Sequence, residues 1–393
     1  MIQRVLMVAH DAGGARALLP VARELQRRGA EVSAIRAGPA VRIFAEEAPE
    51  IPGSDLPDDT ALPDLTEHFH RAAPDVLLSA SGLYNCIEHR TRSAARAAGV
   101  PVVALLDSWL NYGERFERGD DDARRLPDRV CAIDELTRQG MIAAGMSGED
   151  VRVTGHPDLE AAVVRSRKWT AAERAARRQQ AGLTAGATVI TFFSDPFYSG
   201  PNDEFYSGPG ALMHADGTPV FGYTTRDILP AVIEEMETAL TAQNGTAHLL
   251  IRPHPSENAA ALRRIVENAT TSRLGLTLQE TGSADEVIRI SDAVFGMMTI
   301  ALLQSALVGI PAFSIQIGLR ESGADDPCIG HQLGYVRGVF DRAELRRVCA
   351  LVAQHAWATL RGAPSAPLPL EGAARRVADV VLGVSAPQEN SHA

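Results

Sequence analysis

Two stretches near the N-terminus place acid and base groups directly after an apolar run. The first, His10-Asp11-Ala12-Gly13-Gly14, follows Val5 to Ala9. An imidazole beside a carboxylate suits proton transfer, so His10 or Asp11 can take a proton from a hydroxyl. Gly13 and Gly14 permit close backbone approach, and a helix starting there offers N–H groups to an anion or a sugar hydroxyl. The pattern is not G-x-G-x-x-G, and no acid is placed for an adenosine ribose, which disfavours a dinucleotide. The second stretch runs from Asp107 to Phe116 after the apolar run Val100 to Leu106. It crowds Asp107, Trp109, Asn111, Tyr112 and Arg115 together, with Asp107 as a second candidate base. Trp109 and Phe116 also suit anchoring the loop to a core.

Two further stretches suit a phosphorylated ligand. Arg252-Pro253-His254-Pro255 ends the apolar run Leu249 to Ile251 and leads into a helix expected to open at Pro255 or Ser256. The prolines stiffen the turn, so Arg252 and His254 project in set directions and match a diphosphate leaving group. Farther on, Met298 and Thr299 precede a helix carrying Ile300, Leu303 and Leu307, with Thr299 as its N-cap. A phosphate fits that helix start, and Gln304 on the same helix can reach a ribose. Ser194, just past the strand Thr188–Phe193, joins this diphosphate set.

These positions presuppose strands that end beside one another. Strands are predicted at Val5–Ala9, Glu31–Ile35, Asp75–Ser79, Val100–Leu106, Arg129–Ile133 and Val151–Thr154, with helices between most of them. A helix is expected over Ala15–Arg28, stopped by Gly29. After Gly155-His156-Pro157 the rhythm restarts with a helix near Thr170–Gln180. Strands follow at Thr188–Phe193, Ala247–Ile251, Asp292–Phe295 and Pro311–Ile315. Alternating strands and helices mean right-handed crossovers and parallel sheets, whose ligands bind at the carboxyl ends of the strands. The expectation is an α/β chain of two Rossmann-like parallel-sheet domains, residues 1–157 and 158–369, with an interdomain cleft. An amphipathic helix over 370–384 and a disordered tail over 385–393 complete it. The second domain carries a long loop, 194–222, rich in Gly, Pro and Tyr, with Phe-Tyr-Ser-Gly-Pro at both 197–201 and 205–209. A loop of that length is either a turn-rich local duplication or a flap over a site.

Composition narrows the chemistry. The 393 residues are 45% hydrophobic and 22% charged, with formal net charge −11. An acidic surface repels phosphate backbones, so nucleic acid is not an expected partner. Lys168 is the only lysine, in the exposed-looking run Arg165-Ser166-Arg167-Lys168. A Walker P-loop and Schiff-base chemistry both need a lysine elsewhere, so both are excluded. Cys86, Cys131, Cys328 and Cys349 form no C-x-x-C pair, which implies a reduced, cytoplasmic compartment. No apolar run approaches the ~18 residues of a membrane span. There is no H-E-x-x-H and no G-x-S-x-G, and Asp120-Asp121-Asp122 reads as a solvated run. No metal ligand set and no cofactor are expected.

Taken together, His10 to Gly14, Val153-Thr154-Gly155-His156-Pro157, Arg252 to Pro255, and Ser291 to Pro311 resemble the bacterial GT-B superfamily. Its relatives include glycosyltransferases, sugar-nucleotide 2-epimerases and capsule-biosynthesis proteins. The resemblance spans about the whole chain. It implies that the C-terminal half holds a nucleotide diphosphate on the helix beginning near Thr299. The N-terminal half would hold the acceptor near Gly13, Gly14, Trp109, Asn111, Tyr112 and Arg115 and supply the base. The last helix would cross back to the first domain. Gln304 departs from the glutamate that many members place on the donor helix. The acidic pair of the 2-epimerases beside that helix is missing. The implied activity is metal-independent glycosyl transfer, with inversion expected because no dedicated nucleophile is visible. Partners would be a nucleotide-sugar and a small-molecule or glycan acceptor, with a homodimer allowed.

Overall fold

The computed structural model describes residues 3–83, 86–116, 126–184, 186–195, 214, 218–254, 257–364 and 366–384. The chain divides into two compact units, residues 1–161 with 368–393, and residues 162–367. Most of the loop 194–222, the Asp120–Asp122 run and the tail 385–393 lie outside the described residues.

In the first unit, seven strands are β1 (Arg4–Ala9), β2 (Glu31–Arg36), β3 (Gly53–Asp55), β4 (Val76–Ser79), β5 (Val102–Leu105), β6 (Arg129–Ala132) and β7 (Val151–Val153). They form one parallel sheet in the order β3-β2-β1-β4-β5-β6-β7. The continuous apolar run of β1 reflects helices on both faces of the sheet. Val5, Met7 and Ala9 pack with Leu18, Val21 and Leu25 of helix Ala12–Arg27. Val377 and Val381 of helix Ala373–Gly383 join that same core. Leu6 and Val8, pointing the other way, pack with Leu65, Phe69 and Ile87. The four cysteines are buried and free.

In the second unit, β8 (Thr188–Phe193), β9 (Ala247–Arg252), β10 (Leu274–Leu278), β11 (Ala293–Gly296), β12 (Ala312–Ile315) and β13 (Arg337–Val339) form a parallel sheet. Its order is β10-β9-β8-β11-β12-β13. Here too β8 alternates: Ile190 and Phe192 face one core, Val189 and Phe193 the other. Strands β3, β10 and β13 lack the long apolar runs that announce the central strands, and each closes an edge or the end of a sheet.

Local boundaries differ from the periodicity at two places that matter. The first helix starts at Ala12 rather than Ala15, with Asp11 in extended conformation as its N-cap. Gly13 and Gly14 therefore form its first turn, where a Cβ on Gly14 would come within 2.8 Å of Ala80 Cβ. The glycine is required by close packing on the end of β4. The helix after β9 starts at Ala259, capped by Asn258, whose Oδ1 accepts from Ala260 N at 3.1 Å. It does not begin at Pro255 or Ser256, which lie outside the described residues; an asparagine cap satisfies orphan N–H groups that proline cannot. Among the described residues no helix is long and apolar enough to cross a membrane.

Candidate functional site

Each sheet reverses its strand order once, between β1 and β4 in the first unit and between β8 and β11 in the second. At such a switch point neighbouring connections leave in opposite directions and open a crevice at the carboxyl ends. Both polar groupings of the chain lie at these points. A separate cavity of about 860 Å³, lined by Arg4, Gln26, His68 and Arg71 among others, lies at the opposite, amino edge of the first sheet.

In the first unit His10 and Asp11 leave β1. His10 Nδ1 and Asp11 Oδ1 are 2.8 Å apart, and the Asp11 side chain is 51% exposed against 24% for His10. The hydrogen bond to Asp11 outweighs burial and raises the His10 pKa, helped by the charges of Asp11, Asp58 and Glu88. A Cβ on Gly38 would lie 2.6 Å from His10 Nε2, so that nitrogen rests against the loop after β2. The exposed group of the pair is the carboxylate.

Asp107, after β5, meets the same corner. Its Oδ1 accepts from Ser81 Oγ at 3.0 Å and lies 3.5 Å from Arg115 Nη1. A Cβ on Gly13 would lie 3.0 Å from Asp107 Oδ2, which places this carboxylate over the first turn of the helix. The structure thus brings His10, Asp11, Gly13, Gly14 and Asp107 together within one unit.

Sequence reasoning missed Glu88. It is fully buried at the start of helix Ile87–Ala97, and its carboxylate accepts from the backbone N–H groups of His10 and Gly82. Burial raises its pKa, opposed chiefly by Arg92. Glu88 ties the end of β1 to the end of β4. The signal available in the sequence was an acid inside a helical pattern beside Arg92, which also fits an ordinary surface pair.

The residues expected to line an acceptor pocket are mostly turned inward. Trp109 is 4% exposed, donates from Nε1 to Asp134 Oδ2 at 2.6 Å, and stacks on His156. Arg115 donates to the carbonyl oxygens of Leu110 (2.8 Å) and Ser81. Tyr112 is held so close to Gly140 that a Cβ there would lie 2.3 Å from its ring, and burial pushes its hydroxyl up to about 12. Asn111 takes a left-handed backbone conformation, φ 59°. Trp109 and Arg115 therefore hold the loop that presents Asp107, because buried N–H donors take internal acceptors.

In the second unit Ser194 and Asp195 leave β8, Arg252 and His254 leave β9, and Met297 to Thr299 leave β11. Thr299 caps helix Ile300–Leu307, its side chain accepting from Ala301 N at 3.3 Å. The N–H of His254 donates to Ser194 Oγ and to Glu257 Oε2, both at 3.0 Å. Desolvation pushes His254 down to about 4, so at neutral pH it acts through an N–H rather than a charge. The Met298 N–H donates to Asp195 Oδ2 at 3.0 Å.

Arg252 and Gln304 are placed differently from the sequence expectation. The Arg252 guanidinium donates to the carbonyl oxygens of Gln279 (2.8 Å), Thr281 (2.8 Å) and Gly282 (2.7 Å). It clamps the loop after β10. Gln304 donates to Asp285 Oδ1 at 3.4 Å, just beyond that loop.

Asp195 and Glu257 carry no motif and were not foreseen. Glu257 accepts from Ser194 Oγ and from Thr225 Oγ1 (3.2 Å) as well as from His254. Burial raises Glu257 to about 7 and Asp195 to about 6. Such groups hold protons that the unfolded chain has released, so stability falls as pH rises from about 4 through about 7. For Glu257 alone, between 4.5 and about 7, the loss is on the order of 3 kcal/mol. Urea unfolding at about pH 5 and about pH 8 should therefore show Glu257→Gln losing less stability than the parent. Identical losses would sink this assignment.

No protein-family model matches the sequence, and no curated protein matches it. Solved structures do match. UDP-GlcNAc 2-epimerase from Neisseria meningitidis, solved bound to UDP-GlcNAc, aligns at 14% identity and TM-score 0.65, covering 97% of this chain and 100% of its own. A glycosyltransferase from Rickettsia africae aligns at 10% identity and TM-score 0.58, covering 97% of this chain and 94% of its own. Anabaena HepE, in complex with UDP, aligns at 14% identity and TM-score 0.56, covering 98% of this chain and 100% of its own. Two parallel-sheet units of seven and six strands, matched over nearly the whole chain by these proteins, give this chain the GT-B fold.

Proposed function

We propose that the chain is an enzyme acting on a sugar nucleotide, and that its reaction is transfer of the sugar to a hydroxyl or similar acceptor. The observation that carries this reading is the pairing of two chemically different groupings with the two switch points. The first unit offers an exposed carboxylate, Asp11, backed by His10, with Asp107 beside it. The second offers backbone N–H groups before helix Ile300–Leu307, with Ser194 and His254 close to one another. Asp11 accepts the acceptor's proton as its oxygen attacks the anomeric carbon. The nucleotide diphosphate leaves against N–H donors of the second unit. Fixed N–H dipoles supply the stabilisation without a metal ion, so activity should persist in EDTA.

A second reading, epimerisation or hydrolysis of the sugar nucleotide, is favoured by the near-complete alignment with a 2-epimerase and by the several carboxylates of the first unit. It needs no acceptor. The test starts with a thermal-shift screen against UDP, CDP, ADP, GDP, dTDP and CMP, since a ligand of the native state raises its stability. The matching sugar nucleotide is then incubated alone and with candidate acceptors. Product formed only with an acceptor supports transfer, and change of the sugar nucleotide alone supports the second reading. Binding without turnover under any condition means a non-catalytic sugar-nucleotide-binding subunit.

A further inference from the structure

The backbone N–H groups of Met297, Met298 and Thr299 follow one another at the end of β11 and converge on one carboxylate, and successive N–H groups of this kind can bind anions. This run already holds one. The Asp195 carboxylate reaches across from the end of neighbouring β8, accepts from Met298 N at 3.0 Å, and is stabilised by the N–H groups of Met297 and Thr299 as well. Asp195 is 4% exposed. The same N–H groups are those that the proposed function assigns to a leaving diphosphate.

We propose that Asp195 is a built-in competitor for phosphoryl oxygens, so that a nucleoside diphosphate binds the second unit only when the Asp195 carboxylate gives up this N–H run. The inference rests on the reading that this unit binds a nucleotide. Two negative groups cannot share a few N–H donors at close range without repulsion. The affinity of the parent protein is therefore lower than the N–H run alone would allow. The carboxylate also discriminates among ligands. A free nucleoside diphosphate carries more negative charge on its terminal phosphate than the same diphosphate esterified to a sugar. Asp195 thus weakens product more than substrate and favours product release.

Groups facing this position come from several elements. Glu257 lies beside Ser194, and Tyr223, Asp326 and Cys328 act electrostatically in the same region. His331 is paired with Asp326. Burial raises Glu257 to about 7 and Asp195 to about 6, so protonation of either reduces negative charge here. Asp326 is held below its ordinary range and Tyr223 far above its own, and neither changes charge in that window.

The experiment is calorimetric titration of the parent, Asp195→Asn and Asp195→Ala with UDP, a UDP-sugar and inorganic sulfate. Both variants should bind UDP about tenfold tighter, gain less for the UDP-sugar, and bind sulfate more tightly. Unchanged or weaker anion binding in both variants overturns the proposal. Tighter sulfate binding with no nucleoside diphosphate bound by any of the proteins upholds the competition and sinks the nucleotide reading instead. If the variants do not fold, the parent itself decides. Sulfate keeps its charge between about pH 5 and about pH 8, so its affinity should rise as pH falls through the Asp195 titration. Glu257→Gln and His331→Gln should retain that rise. A flat profile overturns the proposal.

Discussion

Asp11→Asn should lower kcat by about 10²- to 10⁴-fold while leaving nucleotide affinity within about twofold. Asparagine keeps the side-chain shape and an oxygen that accepts from His10 Nδ1, and it removes the lone pair that takes a proton. The Asp11 side chain makes no capping hydrogen bond to helix Ala12–Arg27, so the substitution costs no helix cap. A pH titration by NMR supplies a second readout. The bond to the Asp11 carboxylate is the largest cause of the raised His10 pKa, and exchanging that charged acceptor for a neutral amide should bring His10 down toward 6.5. Asp107→Asn is the informative partner. It removes the carboxylate facing Arg115 and Ser81. If Asp107→Asn abolishes turnover while Asp11→Asn is fully active, the base is Asp107. Full activity of both variants would refute transfer by this corner.

Arg252→Ala should weaken nucleotide binding by roughly 10- to 100-fold, and Arg252→Lys should be nearly as weak. The reason lies in the three carbonyl oxygens of Gln279, Thr281 and Gly282 that its guanidinium spans. A planar fork reaches all three at once, and an ammonium on a flexible stem does not. Loosening that contact frees the turn that carries His254, two residues on from Arg252. Direct contact of Arg252 with a diphosphate predicts a different pattern. Lysine would then retain much of the affinity, and added salt would weaken binding in the parent far more than in Arg252→Ala. Calorimetry of the three proteins at two salt concentrations separates the two roles.

Much of the architecture follows from local pattern. The central strands β1, β5, β8 and β9 are apolar because helices cover both faces of their sheets, so Val5 to Ala9 and Leu249 to Ile251 announce themselves. Thr299 is legible as a cap because capping is a contact within a few residues. His10, Asp11 and Asp107 are legible as candidates because an apolar strand must end where its residues turn polar, and that end faces a crevice.

Other features depend on partners far apart in the chain. Glu88 meets His10 across 78 positions, and Asp195 meets Met298 across 103. No spacing rule links such pairs, since they become neighbours only when parallel crossovers set β1 beside β4 and β8 beside β11. The same holds for donors. Trp109 and Arg115 have residue types suited to a ligand, yet burial obliges their N–H groups to find acceptors inside the fold, and they do. The half-buried Arg252 likewise donates to backbone carbonyl oxygens. Sequence alone determined which strand ends carry polar chemistry. Tertiary structure decided which of those groups face outward and which hold the others in place, because hydrogen-bond satisfaction in a folded chain is a long-range condition.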